Sequence, residues 1–267
     1  MKLVFFTNPN KPRARELMTE LAQTARKTGV ECVSAADDDE LCRVLAGPGR
    51  DAFCVVTLGG DGTILRAVSA ASPMGIPVLG VNMGRVGFFS EIGTDGFEAA
   101  LSKLSRGDYT VEHPSMLACT VNGEPCGECL NDFAVHRQEL SSITQLELAV
   151  DGDEIGDVMA DGLIVATPSG STAYTMSAGG PVVAPRLDCI LVTPICPHSL
   201  TVRPIVAGAD SAVTAVIKCD CRLSRDGQNV RVLHAGDKVT VEKSRRTAHF
   251  IRLEKRNVFR LIREKLK

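Results

Sequence analysis

Residues 55–65, Val-Val-Thr-Leu-Gly-Gly-Asp-Gly-Thr-Ile-Leu, set a bare turn between an apolar run and a helix-forming one. Gly59 and Gly60 carry no side chains, so backbone N–H groups in the turn can approach a phosphate closely. Thr63 is placed to cap a helix over residues 64–71, whose positive end favours an anion at the same point. Asp61 is the odd residue. A carboxylate in a phosphate-binding turn repels the ligand unless it binds a metal or takes a proton. The combination suggests phosphoryl transfer, with Asp61 acting on the attacking hydroxyl. An ordinary strand-ending Asp-Gly turn uses the same residue types. From this stretch alone Asp61 is a metal ligand, a turn residue or a base.

A second dense run occupies residues 161–174, Asp-Gly-Leu-Ile-Val-Ala-Thr-Pro-Ser-Gly-Ser-Thr-Ala-Tyr. Its stretch 167–172 packs hydroxyls around Pro168 and Gly170, a loop able to donate many hydrogen bonds. Ser171 or Thr172 can cap a short helix carrying Ala173, Tyr174 and Ser177 before Gly179-Gly180-Pro181 ends it. Tyr174 is one of two tyrosines in a chain without tryptophan. It can stack on a nucleobase with its hydroxyl in water, or bury its ring in the core. Cys126 and Cys129 have zinc-like spacing, and Cys219 and Cys221 would complete a set of four. The second pair is too close for a usual zinc knuckle and both pairs lie beside strands, so no protein-held metal is expected. The acidic triplet 37–39 reads as helix-start charge rather than a metal cluster, because consecutive carboxylates point in different directions.

The elements that position these residues follow from periodicity. A first strand at 3–7 leads through a turn at Asn8-Pro9-Asn10 to a helix over 13–27. Leu17, Leu21, Ala22 and Ala25 line one face of that helix, and Gly29 ends it. A strand at 30–35, a short helix to Ala46, a break at Gly47-Pro48-Gly49 and a strand at 52–58 feed the glycine turn. After its helix come a strand at 76–81 and the loop from Asn82 to Phe89. Alternating strands and helices predict a parallel sheet covered on both faces, with ligands at the carboxyl ends of its strands. Both glycine-bearing loops fall on that edge. Beyond a last helix at 95–105 the texture becomes β. Runs at 116–121, 143–150, 162–166, 189–193, 202–207, 212–219 and 239–241 are separated by turn signals such as Asn122-Gly123 and Asp151-Gly152. The expected fold is an α/β N-terminal domain with a parallel sheet (1–105) and a β-rich C-terminal domain (106–244). A strand and helix tail (245–267) packs back on the first.

Composition sets the outer bounds. The 267 residues suffice for one large domain or two ordinary ones. Thirty Lys and Arg against 32 Asp and Glu leave no global field for nucleic acid or an anionic membrane. The tail carries nine basic and two acidic residues, with Val258, Leu261, Ile262 and Leu266 as an apolar stripe. It reads as a docked helix with a solvated basic face. The opening run is too short for a signal peptide and no segment reaches bilayer length, so a cytoplasmic protein is expected. Most of the ten cysteines (Cys32, Cys42, Cys54, Cys119, Cys189 and Cys196) lie in apolar runs and read as small core residues, with no disulfide framework.

The chain resembles the bacterial NAD kinases (ATP-NAD kinases) nearly end to end. The resemblance rests on Gly59 to Thr63, Gly80-Val81-Asn82 through Gly87-Phe88, Asn131-Asp132, and Asp161 through Tyr174 to Pro181. Further matches are Thr193 through Leu200, Arg203-Pro204 and Asp226-Gly227-Gln228. The first motif is shared with diacylglycerol- and sphingosine-type lipid kinases, whereas the long Asp161–Pro181 run is specific to NAD kinases. The resemblance implies transfer of the ATP γ-phosphoryl to the 2′-hydroxyl of the adenosine ribose of NAD, with Mg²⁺ or another divalent cation. Asp61 would be the base, and Gly59, Gly60, Gly62 and Thr63 would hold the donor's phosphates. Asn131 and Asp132 match the family's Asn-Glu pair on adenine and ribose, and Asp161 a carboxylate at the other end of the dinucleotide. Thr172, Ala173, Tyr174 and Ser177 would form the adenine pocket. Asn82 lies in the loop where Phe88 would line a nucleotide cleft between the halves, and Gln228 matches a ligand-facing position. The family also implies a homo-oligomer, dimer or tetramer.

Three positions depart from the family pattern. Asp132 is one methylene shorter than the usual Glu, so its hydrogen bond needs a water or a shifted loop. Ala160 replaces Gly or Ser. Met159 stands where a charged residue or Gly is linked to choosing NAD over NADH. Two alternatives accompany this reading: a lipid kinase using the same turn, and a dinucleotide sensor that binds without turnover.

Overall fold

The computed structural model describes residues 1–8, 12–84, 87–139, 142–199, 201–255 and 258–265. The expectations placed on Pro9, Asn10, Leu200 and Leu266 lie outside these residues, as does the side chain of Val258. The chain divides into two compact units, Met1–His113 with Thr247–Lys267, and Pro114–Arg246.

The first unit runs β1 (Lys2–Thr7), α1 (Pro12–Lys27), β2 (Glu31–Ala35), α2 (Asp38–Ala46), β3 (Cys54–Leu58), α3 (Asp61–Ala71) and β4 (Val78–Asn82). A two-residue β5 (Ile92–Gly93), α4 (Phe97–Arg106) and β6 (Thr110–Glu112) follow. β1, β3 and β4 are continuous apolar runs because helices cover both faces of the sheet, and every residue of β3 and β4 is buried. The strand order is β2-β1-β3-β4, with parallel pairing throughout. α2 starts where the acidic triplet predicts, with the Asp37 carboxylate accepting from the Glu40 N–H at 2.8 Å. Asp38 then pairs with Arg66 of α3 at 2.7 Å.

The second unit is antiparallel β. It opens with β7 (Ser115–Val121), β8 (Glu124–Cys129), β9 (Asp132–Arg137), β10 (Thr144–Val150), β11 (Asp153–Ala160) and β12 (Gly162–Ala166). After the one-turn α5 (Tyr174–Ser177) come β13 (Cys189–Ile195), β14 (Ile205–Gly208), β15 (Val213–Ile217), β16 (Cys221–Arg225), β17 (Gln228–Leu233) and β18 (Lys238–Thr247). Two six-stranded sheets form, β11-β10-β15-β18-β7-β8 and β14-β13-β12-β9-β16-β17. Alternating apolar residues of both, such as Leu146, Val213 and Val239 against Phe133, Leu163 and Leu223, make one core between them. Cys119, Cys129 and Cys221 belong to that core, whereas Cys42 and Cys196, read as core residues from their apolar neighbours, are exposed. The turns Asn122-Gly123 and Asp151-Gly152 join hairpins with both residues at positive φ, as their types require.

The chain then supplies β19 (Phe250–Arg252) and α6 (Val258–Lys265) to the first unit. β19 completes that sheet between β4, to which it is parallel, and β6, to which it is antiparallel. Ile262 of α6 is buried. Among the described residues no helix is long and apolar enough to cross a membrane.

Candidate active site

In the first unit the chain leaves β3 at Leu58 and turns through Gly59 and Gly60 directly into α3. The helix begins at Asp61, earlier than a Thr63 cap would allow. Gly60 is the N-cap and makes no side-chain cap bond, and the N–H groups of Thr63 and Ile64 donate to its carbonyl at 2.9 and 3.3 Å. Thr63 is instead buried within the first turn, where a Cβ on Gly59 would lie 2.5 Å from its Oγ1. Glycine at 59 is thus demanded by close packing. At Gly60 and Gly62 a Cβ would meet nothing within 4 Å, so the fold does not require bareness there, whereas an approaching phosphate would. The amides of Asp61 and Gly62 precede the first intrahelical bonds and are available to such an anion by position.

The Asp61 carboxylate is held by the loop that follows β4. Its Oδ2 accepts from the Phe88 N–H at 2.9 Å and its Oδ1 from the Phe89 N–H at 3.0 Å. Asn82 fixes that loop at its root: its Nδ2 donates to the Ile92 carbonyl and its Oδ1 accepts from the Gly84 N–H, both at 3.1 Å. Ser90 Oγ accepts from the Gly87 N–H at 2.8 Å. A Cβ on Gly87 would sit 2.1 Å from Asp61 Oδ1, so only glycine lets the loop come this close. The two glycine-bearing loops therefore meet, as the sheet edge predicts, and Gly59 donates its N–H to Val81 at 2.9 Å.

In the second unit Asn131 and Asp132 enter β9 almost fully buried, 7% and 4% exposed. Asn131 Oδ1 is a buried acceptor with no hydrogen-bond partner among the described residues, a group that a ligand's amino hydrogen would satisfy. The backbone of the pair is held by Asp226. Its Oδ1 accepts from the N–H groups of Asn131 and Asp132 at 2.8 and 3.2 Å, and its Oδ2 from that of Leu130 at 3.0 Å. Asp226 sits at φ +47° in the Asp226-Gly227 turn joining β16 to β17. Burial, and then the Asp226 carboxylate, push the Asp132 carboxyl up from 3.8 to about 7. Between those values the folded chain binds a proton that the unfolded chain does not, so this group's contribution to stability falls as pH rises across that window. Asp132→Asn should therefore gain thermal stability relative to the parent on going from about pH 4 to about pH 8. Melting temperatures whose difference stays constant over that range would refute this.

Asp161 lies between β11 and β12 and accepts from Arg137 Nη1 at 2.8 Å. The loop after β12 is pinned by its own hydroxyls. Thr167 Oγ1 donates to the Leu130 carbonyl at 2.5 Å, Ser171 Oγ exchanges bonds with the backbone of Val183, and Thr172 Oγ1 donates to the Ser169 carbonyl at 3.3 Å. These three hydroxyls order the loop instead of standing free to donate outward. The following turn, α5, is capped by Ala173 with no side-chain bond, so neither Ser171 nor Thr172 is its cap. Tyr174 opens α5 with 44% of its surface exposed, which removes the core alternative for its ring. Partial burial and then the charges of Cys196, Asp161 and Asp132 raise its hydroxyl above the usual phenol value, opposed by Arg137. Asp161, Asp132 and Arg137 thus lie near enough to Tyr174 for their charges to bear on its hydroxyl. Thr172 and Ala173 are half-buried beside Tyr174 and Ser177 is exposed, while Gln228 opens the solvent-facing strand β17 with its side chain exposed.

Arg137 belongs to none of the motifs, and Asp226 enters the sequence reading only within the Asp226-Gly227-Gln228 family match, with no role of its own. Nothing local shows its carboxylate reaching amides 94 to 96 residues earlier.

Residues 25–109 match the ATP-NAD kinase N-terminal domain and residues 130–253 the ATP-NAD kinase C-terminal domain. A NAD kinase of Methanothermobacter thermautotrophicus is 41% identical over 219 residues, covering 81% of this chain and 77% of its own. One from Geotalea daltonii is 33% identical over 285 residues, covering 100% and 98%. Among solved structures, yeast NADH kinase complexed with NADH superimposes with TM-score 0.89 at 27% identity, over 100% of this chain and 87% of that one. An NAD kinase from Archaeoglobus fulgidus in complex with ATP gives TM-score 0.80 at 27% identity, over 99% and 98%.

Proposed function

The chain belongs to the ATP-NAD kinase family, and on that premise we propose which of its residues hold the substrates and which one moves the proton. It is an enzyme that uses ATP to phosphorylate NAD to NADP, a transfer to the 2′-hydroxyl of the adenosine ribose. The match of both halves to the family sets aside the lipid kinase, and turnover of NAD against an Asp61→Asn control distinguishes the enzyme from a sensor.

Asp61 accepts the proton of the attacking hydroxyl. The observation that carries this is the carboxylate itself, held at a helix N-terminus by the amides of Phe88 and Phe89. Each oxygen uses one acceptor position there and keeps another for the hydroxyl. Fixed in that way, the base needs no rearrangement as charge develops. The turn Gly59-Gly60 and the first amides of α3, on Asp61 and Gly62, receive the donor's phosphates, with Thr63 packed beneath them. Asn131, through its unpartnered Oδ1, accepts from the adenine amino group, and Asp132 binds beside it. Asp132 sits close enough to Asp226 for the shorter side chain to be used in a carboxyl-rich corner rather than stretched towards the ribose. Asp161, oriented by Arg137, meets the far end of the dinucleotide. Tyr174, with Thr172, Ala173 and Ser177, covers the base; Phe88, Asn82 and Gln228 complete the assignment.

A divalent cation fits as the counterion of ATP. Among the described residues no group of three or more His, Cys, Asp or Glu is placed to cage a metal. Mg²⁺ bound by substrate phosphates keeps most of its waters and needs few protein oxygens. When bound it neutralises the phosphate charge. We further read the enzyme as a cytoplasmic homo-oligomer, dimer or tetramer, on the family likeness.

The substrate assignment is tested on Tyr174. Tyr174→Ala is expected to weaken NAD binding by roughly 1–3 kcal/mol, the range of base–aromatic stacking, with ATP affinity unchanged. Calorimetric titration of each nucleotide reads this out, and an unaltered NAD dissociation constant would take Tyr174 out of the base pocket.

A further inference from the structure

The loop that holds Asp61 is itself held from the far end of the sequence. Phe89 is buried and its ring stacks on Phe250 of β19, centroids 5.5 Å apart with planes 9° from parallel. Arg252, two residues on and 7% exposed, reaches back to the same loop. Its Nη1 donates to the Phe89 carbonyl and to Glu91 Oε2, each at 3.3 Å, and its Nε to Glu112 Oε2 at 2.6 Å. Its guanidinium also lies over the Phe250 ring, 4.9 Å from the centroid. Glu91 closes the arrangement, as its Oε1 accepts from the N–H groups of Leu253 and Glu254 at 2.8 and 3.3 Å. Both charges are nearly excluded from water and each is hydrogen-bonded to backbone as well as to the other. Removing either member of such a buried pair leaves the other charge buried without its counterion. The carbonyl that takes the Arg252 bond and the N–H that aims Asp61 Oδ1 both belong to Phe89, on the two peptide units that flank its Cα.

We propose that Arg252 is a positioning residue for phosphoryl transfer, holding the 87–91 loop through Phe89 and Glu91 so that its amides fix the Asp61 carboxylate. The proposal rests on the reading of Asp61 as the base. It makes the C-terminal return strand part of the catalytic apparatus, although the assignment above gives no residue of that strand a substrate to bind.

The test uses the full chain carrying Arg252→Lys, which keeps the charge but loses the forked donor set, and Glu91→Gln, which keeps an acceptor for the 253–254 amides. Phe97→Leu, a core change in α4, serves as a control of comparable thermal destabilisation. In both test variants, amide hydrogen exchange at Phe88 and Phe89 should speed up by about tenfold or more. kcat should fall by about 10²-fold, the effect of an ångström-scale misplacement, with the KM for NAD and ATP changed less than about twofold. Phe97→Leu should show neither effect. Unchanged exchange at Phe88 and Phe89, faster exchange with unchanged kcat, or equal losses in Phe97→Leu would each overturn the proposal. If Asp61→Asn retains turnover, the underlying assignment fails instead, and the exchange data separate that outcome from failure of the brace.

Discussion

Asp61→Asn is expected to lower kcat for NADP formation by about 10²–10⁴-fold, the contribution of a positioned base. NAD and ATP affinities should change little. The two side chains have the same size, so the turn Gly59-Gly60 and the start of α3 are retained. What changes is chemical. The amide has one acceptor oxygen where the carboxylate has two, and its NH₂ would face one of the two N–H groups, of Phe88 or Phe89, that now donate to Asp61. The variant therefore loses the proton acceptor and one tether of the loop together. Incubation with ATP, Mg²⁺ and NAD, with product read by an NADP-specific dehydrogenase, measures the first loss. Single-turnover kinetics separate it from slow product release. Turnover within a few-fold of the parent would remove Asp61 from the proton transfer.

The second large effect is expected at Asp226, which touches no substrate in the reading above. Asp226→Ala strips the acceptor from three backbone N–H groups, of Leu130, Asn131 and Asp132. A buried donor left without a partner costs about 1–3 kcal/mol, so a destabilisation of roughly 3 kcal/mol or more is expected. Part of that comes from placing alanine at φ +47°, a region that asparagine tolerates better. Asp226→Asn should accordingly fall between the parent and Asp226→Ala. Because the three amides set the path of the chain through Asn131 and Asp132, NAD affinity should drop with stability while ATP affinity holds. The Asp132 carboxyl should also come down from about 7, since Asp226 is the second cause of its rise after burial. Urea unfolding and calorimetric NAD titration measure the first two effects. An Asp226→Ala protein binding NAD as the parent does would sever Asp226 from the site.

Several parts of this site are local, and local patterns show in a sequence. The turn 59–62 is read from glycine type and spacing, since a strand, a bare turn and a helix follow one another within a dozen residues. The same holds for the hairpins at Asn122-Gly123 and Asp151-Gly152, where residue type selects the positive φ. Even here one detail escaped. Thr63 has the chemistry of a cap, but the glycine before Asp61 lets the helix start earlier and turns Thr63 inward. The hydroxyls of Thr167, Ser171 and Thr172 had the chemistry of a donor-rich surface and are consumed by backbone groups in and around the loop, because buried polar groups must find partners.

The sequence by itself determined the candidate chemistry: a carboxylate in a glycine turn, a hydroxyl-rich loop leading to a tyrosine, and the family whose order of motifs this chain follows. Tertiary structure alone decided what holds them. That Asp61 is aimed by Phe88 and Phe89, Asn131 and Asp132 by Asp226, Asp161 by Arg137, and the 87–91 loop by Arg252 depends on strands distant in the chain lying side by side. The bonds made to the backbone go to N–H and C=O groups that every non-proline residue offers, so no residue type marks the receiving end. Side-chain chemistry is written in the sequence one residue at a time, whereas the register that gives it a partner exists only after the sheets have formed.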